Sequence, residues 1–155
     1  MAEASPAQPP APATRGAVTT AISTTTLDVA RHVAAVAHPR AGAVATFVGQ
    51  VRDHDPDVRG EVVALVYSAH PVAADVLARL AAAAADDDAV LGVAASHRTG
   101  SLTVGEPAIV VAVSTAHRAL AFEVCRDLVE RIKAELPVWK REVLADGSHV
   151  WVGSA

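Results

Sequence analysis

Three short runs in this chain carry residue types and spacings suited to holding an anion. The first is Ser114-Thr115-Ala116-His117-Arg118, at the expected junction of a buried strand and a helix. A helix N-terminus bears partial positive charge, so a cation placed there opposes the dipole and costs stability. The placement makes sense if an anion arrives, because backbone N–H groups, guanidinium and imidazole then converge on it. A solvated arginine beside a half-buried histidine is the competing explanation. The second run is Lys133 followed by Pro137-Val138-Trp139-Lys140-Arg141-Glu142. Lys133 falls near a helix end, where a cation is ordinarily favourable. Trp139 offers Lys140 and Arg141 a stacking surface and local desolvation. Desolvating or crowding an ammonium lowers its pKa from about 10.4 toward the range of a proton carrier. An edge strand with a solvated charge pair would read the same way. The third run is Gly49-Gln50-Val51-Arg52-Asp53-His54, at a strand end, where Arg52 could fork onto a phosphate.

Other chemistries fail on spacing. Asp53-His54-Asp55-Pro56-Asp57 invites a metal reading, but a calcium loop needs Gly where Val58 stands and Glu where Ala64 stands. Acidic turn residues suffice to explain it. None of the seven histidines forms a zinc spacing, and no Gly-rich nucleotide loop is present. Neither a metal nor a cofactor is expected. The single cysteine, Cys125, falls on the apolar side of a helix and reads as a small core residue rather than a nucleophile.

The elements that must position these runs can be read from periodicity. Ala17 to Thr24, Gly42 to Val51, Glu61 to Tyr67, Val90 to Ser96 and Pro107 to Val113 are strand-like. Glu61 to Tyr67 alternates weakly but is apolar on both faces, as a well-buried strand would be. Thr26 is a candidate cap for a short helix from Leu27, and Pro71 a candidate opening for a second. A longer helix should follow Ser114-Thr115, with Ala121, Val124, Cys125, Leu128 and Ile132 on one face, closed by Pro137. Val138 to Leu144 and His149 to Val152 flank Asp146-Gly147 as a hairpin. The result is one mixed α+β domain without internal repeats.

Composition limits the partners. The 155 residues are 52% apolar but only 3% aromatic, so the core must be aliphatic. A net charge of -4 and five aromatic residues argue against nucleic acid, so any anion must be held by a local cluster. The Ala/Pro-rich segment 1–15 lacks the pattern of a secretory signal and is expected to be a disordered extension, with the domain occupying 16–155. No apolar stretch is long enough to span a bilayer, and a lone thiol suits a reducing, cytoplasmic setting.

Taken together, the runs resemble the large, catalytic subunit of molybdopterin synthase. The resemblance rests on Gly42-Ala-Val-Ala-Thr-Phe47-Val-Gly-Gln-Val-Arg52, His97-Arg98-Thr-Gly, Ser114-Thr-Ala-His117-Arg118 with Ala121-Phe122-Glu123, then Lys133 and Pro137-Val-Trp-Lys140-Arg-Glu142. It covers about Ala41 to Trp151. It implies an α/β hammerhead fold with an additional small antiparallel sheet, and a homodimer within a heterotetramer. The implied partner is a small ubiquitin-like sulfur carrier whose Gly-Gly C-terminus is a thiocarboxylate. The implied substrate is cyclic pyranopterin monophosphate, converted to molybdopterin by two sulfur transfers. The family's substrate-contacting positions fall on Gln50, Val51, Arg52, His117, Arg118, Lys133, Lys140, Arg141 and Glu142, with Lys133 and Lys140 catalytic. Gln50 stands where some relatives carry lysine, and Leu65-Val66-Tyr67-Ser68 lacks the acidic residues often found there. The alternative is a non-catalytic paralogue that binds a phosphorylated pterin or the small subunit without turnover.

Overall fold

The computed structural model describes residues 16–152; the expected N-terminal extension lies outside them. Eight strands and three helices follow the chain: β1 (Ala17–Ser23), α1 (Val29–Ala35), β2 (Ala43–Gln50), β3 (Val62–Ala69), α2 (Ala73–Ala84), β4 (Val90–Arg98), β5 (Gly100–Thr103), β6 (Pro107–Thr115), α3 (Arg118–Glu135), β7 (Val138–Leu144) and β8 (His149–Val152).

The strands form two four-stranded sheets, one ordered β1-β4-β6-β2 and the other β5-β3-β7-β8. In the first sheet β1 runs parallel to β4, and the other pairs are antiparallel. Helices α2 and α3 pack on one face, and α1 lies against β4 and β6. Central strands covered on both faces must be apolar throughout, and β4 and β6 are buried almost end to end. Ile109, Val111 and Val113 belong to the main core with Leu77, Leu80, Leu128 and Ile132, whereas Ala112 and Ala94 pack with Val36 at the end of α1. These small residues allow α1 to sit close. A Cβ on Gly92 would come within 3.0 Å of the Val36 backbone.

The second sheet is antiparallel and builds its own core from Val51, Val62, Leu65, Tyr67, Leu102, Ala108 and Leu144. It is the additional small sheet anticipated with the mixed α+β hammerhead architecture. Strand β3 is not buried on both faces: Leu65 and Tyr67 point inward, while Ala64 and Val66 are half-buried and Ser68 is exposed on the other face. Its outer face has no covering layer.

Boundaries differ from the sequence expectation for local reasons. Asp28, not Thr26, caps α1, its carboxylate accepting from the Arg31 N–H at 3.1 Å. Helix α2 begins two residues after Pro71. Pairing with β2 and β4 extends β6 through Thr115, so α3 starts only at Arg118. Strand β5, unforeseen from sequence, exists because it pairs with β3. Among the described residues, no helix is long and apolar enough to cross a membrane.

Candidate functional site

The β3–β7 register sets one wall of a cavity by pairing Tyr67 with Lys140 and Leu65 with Glu142. Lys140 and Glu142, two apart on a strand, share a face. Helix α3 ends just before this strand. Leu136 leaves the helix in an extended conformation, as the residue before Pro137 must, and places Lys133 in the last turn above the same space. The opposite wall comes from the end of β2 and the loop after it. There Val51 donates its N–H to the Glu106 carbonyl at 3.0 Å and accepts from Gly105 at 2.7 Å. Gly105 reaches back only because its φ is +91°, a region that favours glycine. The Glu106 carboxylate holds the Thr103 N–H at 2.7 Å and the Arg98 guanidinium at 3.4 Å, fixing the turn. Buried Val51 is thus an anchor that aims its neighbours, and Gln50 and Arg52 line the cavity.

The cavity has a volume of about 340 Å³ and is lined by Gln50, Arg52, Lys133, Lys140 and Glu142 together with His54, Asp55, Tyr67 and His97. Its cations come from three different segments. Its most constrained group is Glu142, only 2% exposed, with Oε1 3.9 Å from Lys140 Nζ. Burial, and then the contact with Asp55, pushes the Glu142 carboxyl up to about 7; Lys140 and Arg52 pull the other way. Asp55 is held below the usual carboxylate range by its hydrogen bond to Glu142 and by the Asp57 N–H. Burial lowers the His97 pKa despite a 2.8 Å hydrogen bond from Nδ1–H to the Arg98 carbonyl. In the neutral ring that bond leaves the lone pair on Nε2. His97 also meets the Tyr67 ring edge-on at 5.0 Å, joining the two sheets at the cavity floor.

The remaining sequence candidates stand elsewhere in the chain. Arg141 is on the opposite face of β7, its guanidinium 5.8 Å from the centre of the Trp151 ring. Trp139 shares that face and tilts toward His70, so it does not stack on Lys140. His117 caps α3 in an extended conformation, with its carbonyl held by the Thr115 hydroxyl at 2.6 Å. His117 and Arg118 line an open depression with Gly42, Ala116 and Ala119, and the first turn of α3 holds no acidic residue. Arg118 and Lys133 are fifteen residues apart on one helix, about 22 Å along its axis.

Sequence reasoning placed His54 in the third run without giving it a role, and missed Asp55, Tyr67 and His97 as cavity residues. The only signal was the His97-Arg98 run; the 53–57 segment reads as a turn until β7 is folded against it. No cluster able to hold a metal exists among the described residues. Cys125 is buried against β2 in a separate groove, its thiol pKa raised by burial.

Comparison with known proteins shows the family and the fold. A molybdopterin synthase catalytic subunit from Thermoplasma volcanium is 40% identical over 117 residues, spanning 75% of this chain and 84% of that protein. The crystal structure of molybdopterin synthase from Staphylococcus aureus superposes with a TM-score of 0.76 at 26% identity, covering 90% of this chain and 98% of that one. A chain from the complex of subunits 1 and 2 of molybdopterin-converting factor from Helicobacter pylori shares the fold, with a TM-score of 0.66 at 18% identity over 90% of each chain. Residues 22–135 match the model of the MoaE protein family, and the chain belongs to that family, the catalytic subunits of molybdopterin synthase.

Proposed function

We propose that the chain converts cyclic pyranopterin monophosphate to molybdopterin by two sulfur transfers from the thiocarboxylated Gly-Gly terminus of a small ubiquitin-like subunit. The observation that carries this reading is the convergence of Arg52, Lys133 and Lys140 on one cavity. A space of about 340 Å³ with a few placed polar groups suits a small phosphorylated molecule. Arg52 offers a fork for the phosphate. Lys133 and Lys140 offer compact positive charge to the thiocarboxylate and to the oxyanion formed when its carbonyl is attacked, and they carry protons. Sulfur arrives with the partner, so the remote, buried Cys125 needs no part in the reaction. The Helicobacter pylori structure of the same fold is a complex of two subunits, which is in keeping with a partner chain.

His117 and Arg118 enter this reading through a second copy of the chain. Within one protomer they lie a helix length from Lys133. If all the anion-binding residues serve one substrate, a dimer must bring the pair of one protomer to the cavity of the other. The groove between β2 and α3, lined by Ala45, Phe47, Phe122 and Val129, supplies an apolar surface beside a free strand edge. One small subunit on each protomer then gives a heterotetramer acting in the cytoplasm. The test is to mix the protein with thiocarboxylated small subunit and the cyclic precursor and to look for dithiolene product; binding without product would favour a non-catalytic paralogue.

A further inference from the structure

The cavity contains an acceptor that the sulfur-transfer reading does not use. His97, 4% exposed on β4, lines the cavity, and its Nδ1 lies 2.8 Å from the Arg98 carbonyl oxygen. A carbonyl only accepts, so Nδ1 carries the proton and the neutral ring keeps a lone pair on Nε2. The edge-on contact with Tyr67 at 5.0 Å holds the ring's plane. Nε2 itself has no hydrogen-bond partner among the described residues. Nor is it sealed away, since the unpartnered side-chain atoms that are fully buried are Arg98 Nε, Ser114 Oγ, Arg141 Nε and Glu142 Oε2. His32 provides the contrast. Its Nδ1 donates to the Asp28 carbonyl at 2.6 Å, and its Nε2 accepts from the Ser96 hydroxyl at 2.7 Å. The same tautomer is thus complete at His32 and open at His97. Other lining groups do not offer the same thing. Arg52, Lys133 and Lys140 only donate. Gln50 and His54 are exposed, so water already meets their polar atoms. Asp55 and Glu142 accept best as carboxylates, whose charge opposes an anion.

We propose that His97 is a specificity-determining residue: its Nε2 accepts a hydrogen bond from an N–H or O–H group of the bound substrate, while Arg52 holds the substrate's phosphate. The cavity thereby selects a molecule that joins an anionic group to a donor-bearing ring, and a simple anion satisfies only part of it. A substrate lacking the donor would leave a buried lone pair unpaired, which is where discrimination comes from. The inference rests on the reading of the cavity as a pterin-phosphate site, because a pterin carries ring N–H and amino donors beside its phosphate.

The experiment combines ring-nitrogen NMR of the histidines with calorimetric binding of the cyclic precursor and of sulfate. It is run at about pH 8, where an imidazole of ordinary pKa is neutral. In the free protein His97 should show a protonated Nδ1 and a bare Nε2. Saturating precursor should move the Nε2 resonance to that of a hydrogen-bonded acceptor; sulfate, which has no proton to donate at this pH, should not. Two variants separate this role from a structural one. In His97→Asn the amide can keep the bond to the Arg98 carbonyl but has nothing at the Nε2 position. Precursor affinity should fall about tenfold to a hundredfold while sulfate affinity and melting temperature stay close to native. In His97→Gln the amide oxygen reaches the Nε2 position while the Arg98 bond is lost. Melting temperature should fall, and precursor affinity should stay well above that of His97→Asn. A purely structural histidine predicts the reverse order. A proton on Nε2 in the free protein, an Nε2 resonance unmoved by bound precursor, or native precursor affinity in His97→Asn each overturns the proposal. Should either variant fail to fold, the spectra of the native protein decide. Native protein that binds sulfate and no precursor would overturn the pterin reading itself, and this inference with it, whereas precursor bound without help from His97 overturns the inference alone.

Discussion

Lys140 Nζ stands 3.9 Å from Glu142 Oε1 on the same face of β7, yet burial and Asp55 keep the carboxyl far from its ordinary titration range. The pair is therefore not a simple ion pair at neutral pH. A carboxyl whose folded pKa is raised, here from 4.5 to about 7, contributes stability below the unfolded value and loses it as pH climbs through the folded one. Asp55, shifted the other way, partly offsets this, since its contribution is present above its unfolded pKa and lost as pH falls. Glu142→Gln should flatten the decline in stability between about pH 4.5 and about pH 7 and gain on the order of 1–2 kcal/mol above it. Urea melts of native protein and variant across that window measure the difference. Parallel curves would mean that Glu142 titrates normally.

Lys133→Ala and Lys140→Ala should each impair sulfur transfer, and their effects should not add. Both ammonium groups face one cavity from different elements. If they act on one intermediate, losing either removes most of what the other supplies. Single-turnover rates for both single variants and the double variant give the coupling. Strict additivity would assign the two lysines to separate steps.

Arg118→Ala should leave the fold intact and weaken precursor binding. Arg118 is exposed at the first position of α3, and its charge opposes the helix dipole. Melting temperature should stay level or rise slightly while affinity for the phosphorylated pterin falls about tenfold or more. A sharp loss of stability with unchanged affinity would make the residue structural.

Phe122→Asp should give a monomer. Phe122 is 66% exposed on α3 beside the β2 groove, and a buried unpaired carboxylate there would oppose association. Light scattering at micromolar concentration should find a native dimer and a variant monomer. A native monomer, with and without the small subunit, would contradict the two-protomer site.

Much of the fold was legible because β4 and β6 are apolar on both faces and α3 repeats at helical spacing. Strand β5 escaped because the four residues Gly100–Thr103 carry little pattern, and only pairing with β3 defines them. The site was legible where charge and type are unusual, as at Arg52, Lys133 and Lys140. Strand alternation sends Arg141 away from Lys140, a distinction that adjacency in sequence suppresses. Asp55 and His97 were hidden for another reason. Their roles arise from packing between sheets, with His97 joined to Tyr67 and Asp55 to Glu142, and neither contact leaves a local signature.

The account depends most directly on Lys140. Single-turnover dithiolene formation, with thiocarboxylated small subunit saturating, should fall roughly a hundredfold or more in Lys140→Ala. Binding of the partner's tail should change little, because an extended segment is held largely through its backbone. Lys140→Arg should rescue incompletely, since guanidinium keeps the charge but releases no proton near neutral pH. A near-native rate in Lys140→Ala would contradict the catalytic role assigned to this lysine and favour a cavity that binds without turnover.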